Sequence, residues 1–408
     1  MARKILANSI LLVALVSLGA LTLDRVNTAT AQTRSSSALD VPRFRVDPNW
    51  PKVPAQWILG IVSSSSVDSQ DNVWVLQRPN TLKADEKAKA APPVLEFSAA
   101  GDFIQAWGGP GDGYEWPNTE HGIYVDPRGF IWIGGSGNGD NQLLKFTKDG
   151  KFLMQIGHAK QSKGNADTGN LNEPADVFVY QKTNELFVAD GYSNKRIVVF
   201  DADSGKFKRM WGAFGNVPVD DPPAPAGGRG RGRGAAAGGG AEGETLGRSR
   251  PDQGPDGPGQ FVTPVHAVKV SNDGLVYVAD RGGRRVQVFT IDGKFVTQVF
   301  IGRECHAPDC SNGQTAAGVA FSPDPDQRFL YVANRSQAQV MIFDRKSLQF
   351  RDSFGQWGSA PGQFGTLHHL SIDSKGNLFT AEVTPLTPAN RRIQKFEFIG
   401  MGTIPAVR

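Results

Sequence analysis

Three of the six histidines in this 408-residue chain, His121, His266 and His368, stand near the start of apolar segments of the same kind. Their settings are Glu-His-Gly-Ile-Tyr-Val, Val-His-Ala-Val-Lys-Val and Leu-His-His-Leu-Ser-Ile. Imidazole is the commonest protein ligand of a metal ion. Three that converge and leave a fourth position open make the donor set of a catalytic zinc site. A second group recurs at its own offset: Arg78, Tyr192, Arg281 and Arg335 each lie one or two residues after a run ending in Gln77, Asp190, Asp280 or Asn334. Guanidinium groups hold carboxylates through paired bonds and stabilise developing negative charge. A phenol becomes a credible base where a neighbouring cation favours its ionised form. Chemistry follows only if the fold brings these groups together.

The elements that would do so are short strands in a repeat. In 261–289 two Val-rich runs, 265–270 and 275–279, flank a polar turn, and a third, 285–289, follows a glycine turn. This is an antiparallel meander that cannot bury both faces alone. Five further copies align on their second strands at 72–77, 130–135, 185–190, 328–334 and 377–382. Third strands follow at 94–97, 142–146, 196–200, 339–343 and 393–396. Outer strands ending in glycine follow in five units, at 103–108, 152–157, 207–212, 295–302 and 350–358. Six such units predict an all-β, six-bladed β-propeller of four-stranded antiparallel blades, the sixth completed by an outer strand from the N-terminal part of the chain. In this register the first-strand slot holds Ser63, His121, Asp176, His266, Ala317 and His368. Innermost strands line the central channel, so histidines on alternate blades would face one another at roughly 120°. The register selects His368 over His369 unless a local bulge exchanges them. The plainer reading is three unrelated histidines bonded to backbone. Asp176 and Asp190 suit either a second cation or turn caps, and caps are the reading preferred here.

Residues 1–31 read as a secretory signal: Arg3 and Lys4, a mostly apolar stretch over 5–19, and Ala29-Thr30-Ala31 before Gln32. A retained membrane anchor is the alternative. Residues 32–56 form an N-terminal arm and 57–408 the propeller, predicted to be secreted or periplasmic with no membrane association after cleavage. Loss of Arg3, Lys4, Arg25 and Asp24 leaves a formal charge of +2 from +4. That is too little to indicate nucleic acid, and no basic helix is present. The first-strand slots of blades 3 and 4 are 90 residues apart because of an insertion at about 216–259, rich in Gly, Arg and Pro. It reads as a disordered surface loop. The two cysteines, Cys305 and Cys310, are spaced for a small disulfide loop in an exported protein, with local metal binding through His306 as the alternative.

The blades resemble NHL repeats, and the units at Val-Leu-Gln-Arg78-Pro-Asn, Glu-His121-Gly, Ala-Asp-Gly-Tyr192-Ser-Asn-Lys-Arg, Val-Ala-Asp-Arg281-Gly-Gly and Leu-His368-His resemble peptidyl-α-hydroxyglycine α-amidating lyase. The resemblance covers about 57–400, is weakest in blade 5 and is absent from the insertion. It implies that His121, His266 and His368 bind zinc or another divalent transition metal. It also implies that Tyr192 is the catalytic base and that Arg78 and Arg281 are active-site arginines. Arg335 joins them by position as a substrate-binding residue. The implied reaction cleaves the C–N bond of an α-hydroxyglycine amide, on a small molecule or a peptide C-terminus, to an amide and glyoxylate. The family also places calcium near the axis on an Asp directly after the third histidine. Here that residue is His369, a departure that puts Ca2+ in question.

Two other classes stay open. One is another metal-dependent hydrolase or lyase on the same scaffold, acting on a small carboxylate, lactone or amide. The other is a non-catalytic NHL binding or scaffold propeller, which has no need of histidine at three alternate slots. No obligate protein partner is indicated.

Overall fold

The computed structural model describes residues 40–221, 254–305, 314–383 and 387–403. It consists of six four-stranded antiparallel sheets. The first holds β2 (Ile61–Val67), β3 (Val73–Arg78), β4 (Val94–Phe97) and β5 (Phe103–Trp107), and the second β6 (Glu120–Val125), β7 (Ile131–Gly135), β8 (Leu143–Phe146) and β9 (Phe152–Ile156). The third holds β10 (Pro174–Tyr180), β11 (Glu185–Asp190), β12 (Arg196–Asp201) and β13 (Phe207–Trp211), and the fourth β14 (Val265–Val270), β15 (Leu275–Asp280), β16 (Arg285–Thr290) and β17 (Phe295–Phe300). The fifth holds β18 (Ala316–Phe321), β19 (Phe329–Asn334), β20 (Gln339–Asp344) and β21 (Phe350–Phe354). The sixth joins β22 (Leu367–Ile372), β23 (Leu378–Glu382) and β24 (Ile393–Thr403) to β1 (Asp40–Asp47), so the first strand among the described residues is the last blade's outer strand. Each innermost strand packs on the next around the ring, and β22 packs on β2.

The strands form because their apolar residues alternate. In β15, Val276 and Val278 face the third blade while Tyr277 and Ala279 face the fifth. Six apolar clusters fill the six gaps between blades among the described residues. Each wholly buried Val, Leu or Phe contributes about 1.5–3 kcal/mol. A blade alone has neither face covered, which is why the copies stabilise only as a ring.

Every innermost strand carries a β-bulge near its start, and the bulge sets the site. Pairing with the second strand skips one residue in each blade: Ser63, His121, Ala175, His266, Ala317 and His368. The extra residue breaks the alternation. Val265 and Val268, three apart, face the same gap, while Ala267 faces the other. A bulged residue belongs to neither face, and its side chain is re-aimed, here into the channel.

This corrects the sequence reading in blade 3, where the slot holds Ala175 and not Asp176. From slot to exit the β10–β11 hairpin is one residue longer than those of blades 1, 2, 4 and 6, and a one-residue slip exchanges the residues presented. Cys305 is disulfide-bonded and no described cysteine is free, while Cys310, the partner expected from the sequence, lies outside the described residues. Cys305 itself is buried at the end of a turn, its N–H donated to Gly302 O (3.1 Å). The expected signal at 1–31 also lies outside the described residues, as does most of the 216–259 insertion. Among the described residues no helix is long and apolar enough to cross a membrane.

Candidate active site

The three bulged histidines are wholly buried and meet on the axis. Ring centroids lie 4.6–4.9 Å apart, and one ligand atom from each falls within 4.8 Å of the others. The three intervening bulges, at Ser63, Ala175 and Ala317, hold the rings. His121 Nδ1 bonds to Ala175 O (2.8 Å), His266 Nδ1 to Ala317 O and His368 Nδ1 to Ser63 O (2.7 Å). A carbonyl only accepts, so each Nδ1 carries a proton and each neutral ring presents an Nε2 lone pair to the axis. Histidine ligands are oriented in this way in metal sites. One device therefore supplies both imidazoles and clamps, because a bulged residue is left out of the ladder. Gly122 lets the clamp close. A Cβ there would stand 2.4 Å from Ala175 O. His266 Nε2 lies 3.0 Å from His368 Nε2, close packing that suits ligands drawn to one centre.

Tyr192 comes over the cluster from the rim. Its hydroxyl is 2.7 Å from His121 Nε2 and 3.2 Å from His266 Nε2. The preceding Gly191 permits this, because a Cβ there would fall 2.0 Å from Val265 O, next to His266. Val265 N in turn donates to Gly191 O (3.1 Å). Arg281 leaves the fourth blade at the same level, its Nη1 3.3 Å from the Tyr192 oxygen and its guanidinium 5.3 Å from the ring centroid. Asp190 and Asp280, the carboxylates nearest in sequence, are engaged elsewhere. Asp190 pairs with Arg196 and Asp280 with Arg285, each at 2.8 Å, with all four side chains fully buried. Asp190 also accepts from Asn172 N and Asp280 from Val262 N, so both cap loops, the role preferred from the sequence for Asp190. Burial raises Asp280 to about 6 against the pull of Arg285.

Arg78 leaves the first blade and is 2 % exposed. Its Nε donates to Glu120 O (2.6 Å), immediately before His121, while Nη1 and Nη2 have no hydrogen-bond partner among the described residues. A buried guanidinium with its fork idle is suited to a carboxylate. The Glu120 side chain is engaged elsewhere: its Oε1 accepts from Trp116 Nε1 (2.9 Å), and burial raises its carboxyl. Arg335 takes the equivalent place in the fifth blade, buried, with its N–H on Thr315 O (2.9 Å).

The triad fits zinc or a similar divalent ion: three neutral nitrogens, each held by a second partner. Calcium does not fit. His369 points away from the triad, its Nε2 3.7 Å from Asp176 Oδ1, and Lys269 Nζ lies 2.5 Å from Asp176 Oδ2. A carboxylate met by an ammonium and an imidazole is the reverse of an oxygen cage. Among the described residues only the triad gathers three metal-ligating groups. Asp176 is therefore neither slot residue nor turn cap, and its carboxyl is held well below the usual range by Lys269 and His369 despite burial that opposes this. Sequence reasoning missed the three carbonyl clamps, since a carbonyl has no residue signature. The signal that could have found them was the small residue in each slot between histidines.

No family model matches the chain. It is 26 % identical to NHL repeat-containing protein 3 of Mus musculus over 312 residues, 74 % of this chain and 71 % of that protein. It is 23 % identical to peptidyl-alpha-hydroxyglycine alpha-amidating lyase 1 of Drosophila melanogaster over 362 residues, 83 % of this chain and 57 % of that one. A solved streptogramin B lyase structure covers 89 % of this chain and 100 % of its own at 13 % identity, with a TM-score of 0.47. The chain is a six-bladed β-propeller remotely related to NHL-repeat and amidating-lyase propellers, with a buried three-histidine cluster on its axis.

Proposed function

We propose that the channel is the active site of a divalent-metal-dependent lyase or hydrolase for a small carboxylate-bearing substrate. Cleavage of an α-hydroxyglycine amide or similar carbinolamide is the particular reaction its residues suit. The observation that carries this reading is the Tyr192 hydroxyl, in contact with Nε2 of both His121 and His266 and with Arg281 Nη1. A scaffold propeller has no use for that arrangement.

Zinc or a related ion held by His121, His266 and His368 would supply a Lewis acid for a substrate oxygen. The chain's own groups divide the remaining tasks. Arg78, with its idle fork, binds the carboxylate and orients the adjacent carbon. Tyr192, as phenolate, takes the proton from the hydroxyl on that carbon, and Arg281 stabilises the charge on the phenolate beforehand. The C–O bond becomes a carbonyl as the C–N bond breaks, and the proton passes to the leaving nitrogen. The products are an amide and glyoxylate. A lactone or simple amide would use the same arginine and metal with water as nucleophile.

The test is metal analysis of the purified protein followed by product assay. We expect about one divalent transition ion per chain, lost in His266→Ala, and glyoxylate release from an α-hydroxyhippurate-type substrate that Tyr192→Phe slows by at least about 100-fold. A metal-free protein, prepared without chelator, would sink the enzyme reading. Metal without glyoxylate, and without any effect of Tyr192→Phe, would remove the carbinolamide reaction and leave the metal site.

A further inference from the structure

One residue past the bulges lies a second ring of positions, Ser64, Gly122, Asp176, Ala267, Gly318 and His369, set toward the neighbouring blade as Ala267 is. Strand geometry places it about 3.3 Å deeper in the channel than the triad. Four of the six are small. The two large ones, Asp176 and His369, stand on the third and sixth blades, which face each other across the ring. Residues so placed can meet only across the axis, and these do, with His369 Nε2 3.7 Å from Asp176 Oδ1 and both side chains buried. Asp176 is fixed from the other side by Lys269 Nζ on Oδ2 (2.5 Å) and by Val268 N (3.2 Å). The Lys269 ammonium sits 5.8 Å from the Tyr124 ring and 6.0 Å from that of Phe178, which hold it in the gap.

We propose that Asp176, His369 and Lys269 form a floor across the channel directly beneath the histidine cluster, leaving the triad open from one end only. Metal and substrate then arrive, and product leaves, past Tyr192 and Arg281. The barrier is electrostatic as well as steric. The carboxylate carries its own cation, so a metal ion gains nothing by stopping there, and Lys269 repels one that approaches from below. This rests on the reading that the triad binds a divalent ion, and it adds the route by which that ion exchanges.

The test measures Co2+ uptake and its release to a chelator, as rates, in the wild-type chain, in His369→Ala and in the triple variant Asp176→Ala, Lys269→Met, His369→Ala. His369→Ala keeps the Asp176–Lys269 pair and is the milder change should the triple variant not fold; near-UV circular dichroism checks this. Opening a second mouth adds a second diffusive path, so uptake and release should both quicken by about twofold or more, with the dissociation constant unchanged. Unchanged rates in a folded variant would overturn the floor. So would a weaker dissociation constant at an unchanged uptake rate, which would make these residues supports of the triad instead. A wild-type chain that takes up no Co2+ would strike the metal reading itself.

Discussion

Arg78→Met should make the protein more stable and its site less able to bind. Arg78 is 2 % exposed, yet two of its three guanidinium nitrogens have no hydrogen-bond partner among the described residues. A buried donor left idle costs about 1–3 kcal/mol, and the one bond present, to Glu120 O, returns about 1 kcal/mol. Methionine fills much of the same volume without a charge, so the variant should gain about 1–4 kcal/mol in urea unfolding. Function should move the other way. Losing a charge-assisted bond to a carboxylate costs about 1.5–3 kcal/mol, or roughly ten- to a hundredfold in the affinity of a small α-hydroxy carboxylate measured by calorimetry on the metal-loaded protein. Stability given up for binding is the mark of a ligand site. A less stable Arg78→Met with unchanged affinity would refute the reasoning, since the fork would then be serving the fold.

Gly122→Ala drives a Cβ to 2.4 Å from Ala175 O and should displace the carbonyl that holds His121 Nδ1. Metal affinity should fall about 10–100-fold by chelator competition, with the circular dichroism of the blades retained. Arg285→Met leaves Asp280 buried without its cation and should cost about 3–5 kcal/mol in denaturant unfolding, with Asp280→Asn added to it restoring part of the loss. Glu185 is lowered to about 2 by the two bonds from Arg209, with Lys208 assisting and burial opposing. Its folded value lies below its unfolded one, so its stabilisation is present above about pH 4.5 and is lost as pH falls toward about 2. Glu185→Gln should lower Tm at neutral pH and flatten its decline through that window.

The blades were legible because period-2 alternation and turn residues act locally, and the six copies aligned each other. His121, His266, His368, Tyr192, Arg78 and Arg281 were legible for the same reason: each sits at a fixed offset from a strand. Asp176 was misplaced because equal spacing was assumed across a β10–β11 hairpin that is one residue longer from slot to exit, and the slot passed to Ala175. The bulge was written in the broken alternation at Val265-His266-Ala267-Val268, but only the pairing shows which residue is extra. The cross-channel contact of Asp176 with His369 was not readable. It joins residues 193 apart in sequence, on opposite blades, and no repeat signals it.

The sixth sheet has a consequence for how the chain is made. Its outer strand, Asp40–Asp47, pairs with Ile393–Thr403 in a ladder running from Asp40 opposite Thr403 to Asp47 opposite Lys395. The first described strand to leave the ribosome therefore waits for nearly the last before it has a partner. Joining ends some 350 residues apart carries a chain-entropy penalty of about 5 kcal/mol, recovered only when the ladder, Arg45–Glu397 and Arg43–Asp352 form together. Until then five blades stand as an open arc with bare edges, the state most exposed to association with other chains. Slow completion, sensitive to trimming at either end, is built into a molecule whose metal ligands come from blades two, four and six and whose last ring-nitrogen clamp, Ser63 on His368, spans the same seam.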